Sequence, residues 1–116
     1  MKNIIISLDE TYHELNGTSI YNKKFKKVMS FHYPEKIAAV EDFEGAFFIN
    51  ENGEKLYNKK FQKTFGFYNG IAAVKDESGY YHINTQGEEL YSKRYDWVGN
   101  FQDGKCVVRD FKNNYY

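Results

Sequence analysis

The chain has a single cysteine, Cys106, among 116 residues, so no disulfide can form within it. That suits a reducing compartment, and the cytoplasm is the expected location. With one proline and nine glycines, a collagen-like or disordered chain is excluded. Neither charge is in excess: 16 basic residues stand against 16 acidic ones, and the sequence pI is about 6.8. Bulk charge therefore gives no reason to expect nucleic acid or an anionic membrane as partner. Long hydrophobic runs are missing too. Ile4-Ile5-Ile6 is too short for a signal-peptide core, and no stretch approaches the ~20 residues of a membrane-spanning helix. No segment has a capped amphipathic period of 3.6.

What the chain does have is rings. Aromatic residues make up 19% of it, with 11 Tyr and 10 Phe, so aliphatic side chains are scarce and the core must be built largely from aromatics. Tyr and Phe favour strands. The length suits one domain, residues 1–116, with one modest core.

The rings recur. Asn16-Gly17, Asn52-Gly53 and Gln86-Gly87 are each followed four residues later by Tyr21, Tyr57 and Tyr91. Phe25, Phe61 and Tyr95 follow, then Phe31, Phe67 and Phe101, giving spacings of 36 and 34 residues. FHYPEKIAAV corresponds to FYNGIAAV with two extra residues, and Lys105-Cys106-Val107-Val108 is the third copy of the apolar run. Repeats of approximately 11–45, 46–79 and 80–114 follow, flanked by partial units 1–10 and 115–116. Ile4-Ile5-Ile6-Ser7 aligns with AAVK, and Asn114-Tyr115-Tyr116 opens a further copy. Either the two partial units complete each other or the array is part of a longer one. Each module needs its neighbours to bury its faces.

Within a unit the signals are strand-like. FQKTFGF reads as a strand, Asn69-Gly70 as a turn and AAVKD as a second strand. AFFIN or YYHIN is a third, and KLYN after Asn52-Gly53 a short fourth. The recurrent Ala38, Ala39, Ala72 and Ala73 are poor strand formers, which places their strand at the sheet centre, where rings come close. Cys106 sits at the equivalent of Ala72 and is expected to be a small buried hydrophobe.

Residues 95–104, YDWVGNFQDG, followed by Cys106-Val107-Val108-Arg109, resemble the core motif of the bacterial WG (KWG) β-repeat family. Tyr81-His82-Ile83-Asn84 followed by Gly87 is similar to the segment after it. The Trp-Gly dipeptide that names the family is replaced by Ala46-Phe47 and Tyr80-Tyr81, making this a Tyr-His-Ile variant. The resemblance implies a β-repeat module and supplies no catalytic residues.

His13 and His82 share a repeat position with Phe48, so packing or hydrogen bonding is expected there rather than metal binding. His32, beside Tyr33 and Pro34, is expected to be solvated. Ser19, Ser30 and Ser92 lie in no activating motif, and the adjacent carboxylates Glu41-Asp42 and Glu88-Glu89 would point to opposite strand faces. No catalytic residue, metal ligand or cofactor is expected. The basic pairs Lys23-Lys24, Lys59-Lys60 and Lys93-Arg94 recur, and Lys24, Lys60 and Arg94 are the candidate ridge. Lys on strand edges also blunts aggregation. Trp97 stands where other copies carry Lys27 and Lys63, which makes it a candidate contact anchor.

The expected fold is all-β: three antiparallel meander repeats of 34–36 residues in an extended repeat sheet, with a compact three-fold, trefoil-like arrangement as the alternative. A propeller, with its usual minimum of four blades, fits less well. The expected function is a non-catalytic module for protein–protein interaction or scaffolding, with self-association through strand edges as a further expectation. The alternative is binding of an anionic or carbohydrate ligand by the basic and aromatic positions.

Overall fold

The computed structural model describes residues 3–116. Met1 and Lys2, the first residues of partial unit 1–10, lie outside the described residues. Among the described residues the fold is all-β, with no helix. None has a helix long and apolar enough to cross a membrane.

The strands form small antiparallel sheets in chain order. The first sheet holds β1 (Ile4–Ile6), β2 (His13–Leu15) and β3 (Thr18–Ser19). The second holds β4 (Lys27–His32), β5 (Ile37–Asp42) and β6 (Gly45–Ile49). The third holds β7 (Lys63–Tyr68), β8 (Ile71–Asp76) and β9 (Gly79–Asn84), and the fourth holds β10 (Trp97–Val98) and β11 (Val108–Arg109). Strands pair only with their neighbours in sequence. Each sheet contacts the next, and the molecule measures 47 × 31 × 23 Å. The repeat thus extends by stacking separate sheets face to face and not by hydrogen bonding into one sheet. It is elongated and not a compact three-fold arrangement. The terminal strands do not pair with each other: β1 joins β2, and β10 joins β11.

Stacking explains the alanines. Successive residues of a strand point to opposite faces. On β5, Ala38 enters the core shared with the first sheet, beside Val28, Phe31 and Phe47. Ala39 enters the core shared with the third sheet, beside Phe48, Phe67 and Tyr81. On β8, Ala73 enters the next core, with Val98 and Val108. The central strand is therefore covered on both faces, so its run is apolar at every position and small enough for rings to lie above and below.

Turns follow the glycine chemistry. Asn69 and Gly70 adopt φ of 53° and 80°, the two-residue hairpin that suits the strand twist. Bulges interrupt β4 between Val28 and Phe31 and β7 between Thr64 and Phe67.

Three expectations are corrected. KLYN is not a strand: the fourth position shrinks to single bridges, Ile49 with Lys55 and Ile83 with Glu89, because Tyr57 and Tyr91 then lead the chain out of the sheet. Cys106 is half-buried, since the fourth sheet covers it less completely than β8 is covered. His32 is not solvated: its ring stacks edge-on with Tyr68 at 4.6 Å and fills the space over Gly66, where a Cβ would lie 2.1 Å from Nε2.

The sequence unit is out of phase with the sheet. Repeat 46–79 gives β6 to the second sheet and β7 and β8 to the third.

Candidate interaction surface

The two equivalent histidines lie at the ends of matching hydrogen-bond chains. His13 on β2 meets the Tyr21 hydroxyl through Nδ1 at 2.6 Å and the Met29 carbonyl through Nε2 at 2.7 Å. His82 on β9 repeats this with the Tyr91 hydroxyl at 2.5 Å and the Gly99 carbonyl at 2.8 Å. A carbonyl can only accept, so Nε2 carries the proton and Nδ1 accepts from tyrosine. Both rings are fully buried, and burial pushes both imidazoles below their ordinary pKa. Burial also pushes Tyr21 up to about 12 and Tyr91 further up. In the middle copy Phe48 offers no nitrogen, and the Tyr57 hydroxyl donates instead to the Thr85 carbonyl at 2.6 Å. The expected structural role of this position is thus a ring that also clamps the next sheet's first strand.

The recurrent tyrosine has a second task. Gly53 is the turn glycine of the second sheet, and a Cβ there would lie 2.7 Å from the Tyr21 ring. Gly87 is its counterpart in the third sheet, where a Cβ would lie 2.6 Å from the Tyr57 ring. Each tyrosine therefore lies on the glycine turn of the following sheet. The spacing from glycine to tyrosine was legible, but the contact is with the next unit's glycine. Only a test of Tyr against Gly 32 and 30 residues further on could have found it.

The basic positions lie outside the strands, in the connections between sheets. Lys60 Nζ donates to Asp42 and Glu44, both at 2.9 Å, and these bonds raise its pKa. Arg94 lies 3.6 Å above the Tyr81 ring, pairs with Glu89 at 2.7 Å and donates to Ser78. Lys24 is exposed and stands 5.6 Å over the Tyr12 ring. In the adjacent set, Lys59 donates to the Tyr81 hydroxyl at 2.6 Å and faces Asp76 at 3.6 Å. Burial alone would raise the Asp76 carboxyl, but hydrogen bonds from Ser78 and the attraction of Lys59 bring it down to about 2.

Trp97 opens β10 opposite Arg109 and is 39% exposed, and its ring edge lies over Gly99. Lys27 and Lys63, at the same place on β4 and β7, are exposed as well. Large apolar side chains also stand out at the turns that follow β1, β5 and β11, the recurrent apolar run of each unit: Leu8, Phe43 at 90% exposure, and Phe111. Glu77 holds that place in the third sheet.

Two open clefts are of similar size. One of about 510 Å³ is lined by residues that include Glu44, Lys60, Phe61, Asp76 and Glu77. The other, about 490 Å³, is lined by residues that include Tyr12, Glu14, Gly17, Ser19 and Lys24. Among the described residues no three His, Cys, Asp or Glu side chains are grouped to hold a metal ion.

A family model described as WG containing repeat matches residues 47–81 and 83–116, more than half of the chain. No curated protein and no solved structure matches it.

Proposed function

The chain belongs to the family of WG-containing repeats, and from that premise we propose that it is a non-catalytic module whose outer edge holds another protein, as an interaction or scaffold surface. The observation that carries this reading is the row of exposed apolar side chains at equivalent turns, Leu8, Phe43 and Phe111. Apolar groups left in water at repeated positions mark a contact surface. The groups that could carry other chemistry are already engaged: the histidines bridge sheets, and Lys60 and Arg94 pair with acids. The reading places the protein in the cytoplasm, in keeping with its single cysteine.

The test is cross-linking of the whole chain in cells, compared with a Leu8→Ser/Phe43→Ser variant of unchanged melting temperature. A defined partner captured by wild type and lost by the variant supports the reading. Identical capture by both, or none by either, overturns it.

The second reading, an anionic ligand, draws on Lys23 and Lys24, which are exposed beside the cleft near Tyr12. Binding of a sulfated polymer at low salt, lost when Lys23 and Lys24 become Gln but kept when Lys59 and Lys60 do, is its expected signature. Equal losses from both pairs sink it. Such binding weakens with salt because exposed charges are screened beyond about 8 Å at physiological ionic strength.

A further inference from the structure

The turns on the outer edge repeat with one variation. Backbone bonds fix how they correspond. Phe25, Phe61 and Tyr95 donate their N–H groups to the carbonyls of Thr11, Ala46 and Tyr80, and Lys26, Gln62 and Asp96 donate to those of Glu41, Lys75 and Arg109. Glu10, Gly45 and Gly79 therefore share one place, all with positive φ, and Phe43, Glu77 and Phe111 share another. Between the third and fourth sheets the two places meet. A Cβ built on Gly79 would come within 2.9 Å of Phe111 Cζ, so the ring lies on the bare glycine of the sheet before it.

The earlier pairs are mismatched. Phe43 would lie over Glu10, whose Cβ stands where Gly79 has only hydrogen and excludes the ring. Phe43 is accordingly 90% exposed, against 63% for Phe111. Glu77 would lie over Gly45, yet a Cβ on Gly45 meets only the Phe61 carbonyl and the Lys60 side chain within 4 Å. The cleft beside Gly45 measures about 510 Å³, whereas the one beside Gly79, with Phe111 on its wall, measures about 190 Å³. The chain thus has a ring with no glycine beneath it and a glycine with no ring above it, both on the turn of residues 43–45. Charge agrees. Lys26 stands 5.8 Å from the centre of the Phe43 ring, and Glu77 lines the Gly45 cleft. Both are exposed, and neither is in an ion pair among the described residues. The other charges on the cleft wall are engaged already, Lys60 with Asp42 and Glu44, and Asp76 with Lys59.

We propose that two copies of this chain form a two-fold dimer in which Phe43 of each lies on Gly45 of the other and Lys26 of each reaches Glu77 of the other. The contact makes between molecules what Phe111 and Gly79 make within one. Ring and glycine are on the same turn, so a two-fold axis beside that turn satisfies both at once. The contact is therefore isologous and closes at two copies. It rests on the reading of this edge as a contact surface, and names a second copy as a partner. It differs from association through strand edges, because side chains on turns make it. Two rings bury less than a standard interface, so the dimer is weak.

Sedimentation equilibrium of the whole chain tests this. Expected is a monomer–dimer equilibrium over roughly 50 µM to 2 mM, the range of a small interface. Two variants keep Phe43 and should stay monomeric with unchanged circular dichroism. Glu77→Phe gives Gly45 a ring from its own chain, and Glu10→Gly gives Phe43 a bare glycine in its own chain. In the wild-type dimer, a nuclear Overhauser effect from the Phe43 ring to Gly45 is expected between labelled and unlabelled copies. A wild type that stays monomeric at the top of that range overturns the proposal. So do growth past two copies, a dimer without that effect, or either variant dimerising as wild type does. The earlier reading is told apart by Glu77→Phe, which leaves Leu8 and Phe43 in place. Another protein captured by this variant, with wild type monomeric, overturns the dimer alone. A dimer in a chain that captures no other protein overturns the earlier reading alone.

Discussion

At the scale of single residues, the buried histidines couple stability to pH. Each folded imidazole has its pKa depressed by burial below the ordinary 6.5, so the folded state favours the neutral ring. Above the unfolded pKa both states hold a neutral ring and the stability is complete. As pH falls through 6.5 the unfolded chain takes up the proton first, and stability is lost until the folded pKa is passed. Melting temperature should therefore fall between pH 7.5 and 5, and a His13→Phe/His82→Phe variant should show a shallower fall. Equal slopes would contradict the assignment. His82→Phe alone should cost about 1–3 kcal/mol in urea denaturation, because the Gly99 carbonyl and Tyr91 hydroxyl lose their partner. His82→Ala should cost about 2 kcal/mol more, from the cavity it leaves. The structural role of this position was legible, since Phe48 in the middle copy shows that it wants a ring. Its hydrogen-bond partners were not, because Met29 and Gly99 share no side-chain signature and are read only through their carbonyls.

At the scale of elements, the turn glycines separate backbone strain from packing. Gly53 and Gly70 have nearly the same φ, +78° and +80°, so alanine at either is strained to a similar degree. A Cβ at Gly70 meets nothing within 4 Å, whereas one at Gly53 meets the Tyr21 ring at 2.7 Å. Gly53→Ala should therefore destabilise by about 1–3 kcal/mol more than Gly70→Ala in parallel chemical denaturation. Equal costs would mean that the ring simply moves aside. Strands β5, β6, β8 and β9 were legible because apolar runs bounded by turn residues carry their own signal. The fourth strand misled. KLYN has strand composition, but its tyrosine is spent on the neighbouring sheet, and composition does not say which sheet a ring belongs to. Lys59 and Lys60 lie in the connection between the second and third sheets, where no strand alternation separates their faces.

At the scale of the whole molecule, the phase between sequence unit and sheet decides where the chain can be cut. Ending it at residue 79 strips β9 from the third sheet and removes Tyr81 and Ile83 from the core shared with Phe48, Phe61 and Phe67. That fragment should aggregate or show no cooperative melt. Ending it at residue 92 keeps the first three sheets and the two cores between them, losing only the outer face of the third sheet around Ala73, and this fragment should melt cooperatively. If the two behave alike, the sheets are not the cooperative units. The spacing of 36 and 34 residues was readable from sequence, but this phase was not, because strand pairs on either side of a unit boundary are equally local. The same phase bears on how such a gene grows. A duplication of one repeat length inserts the remainder of one sheet and the beginning of the next, wherever in the period it starts. The new strands find partners on both sides, and the tyrosine of the copy arrives one period from a glycine turn that can receive it. Lengthening the array therefore needs no particular breakpoint, and unequal crossing-over can change the number of sheets while leaving every remaining contact in its old form.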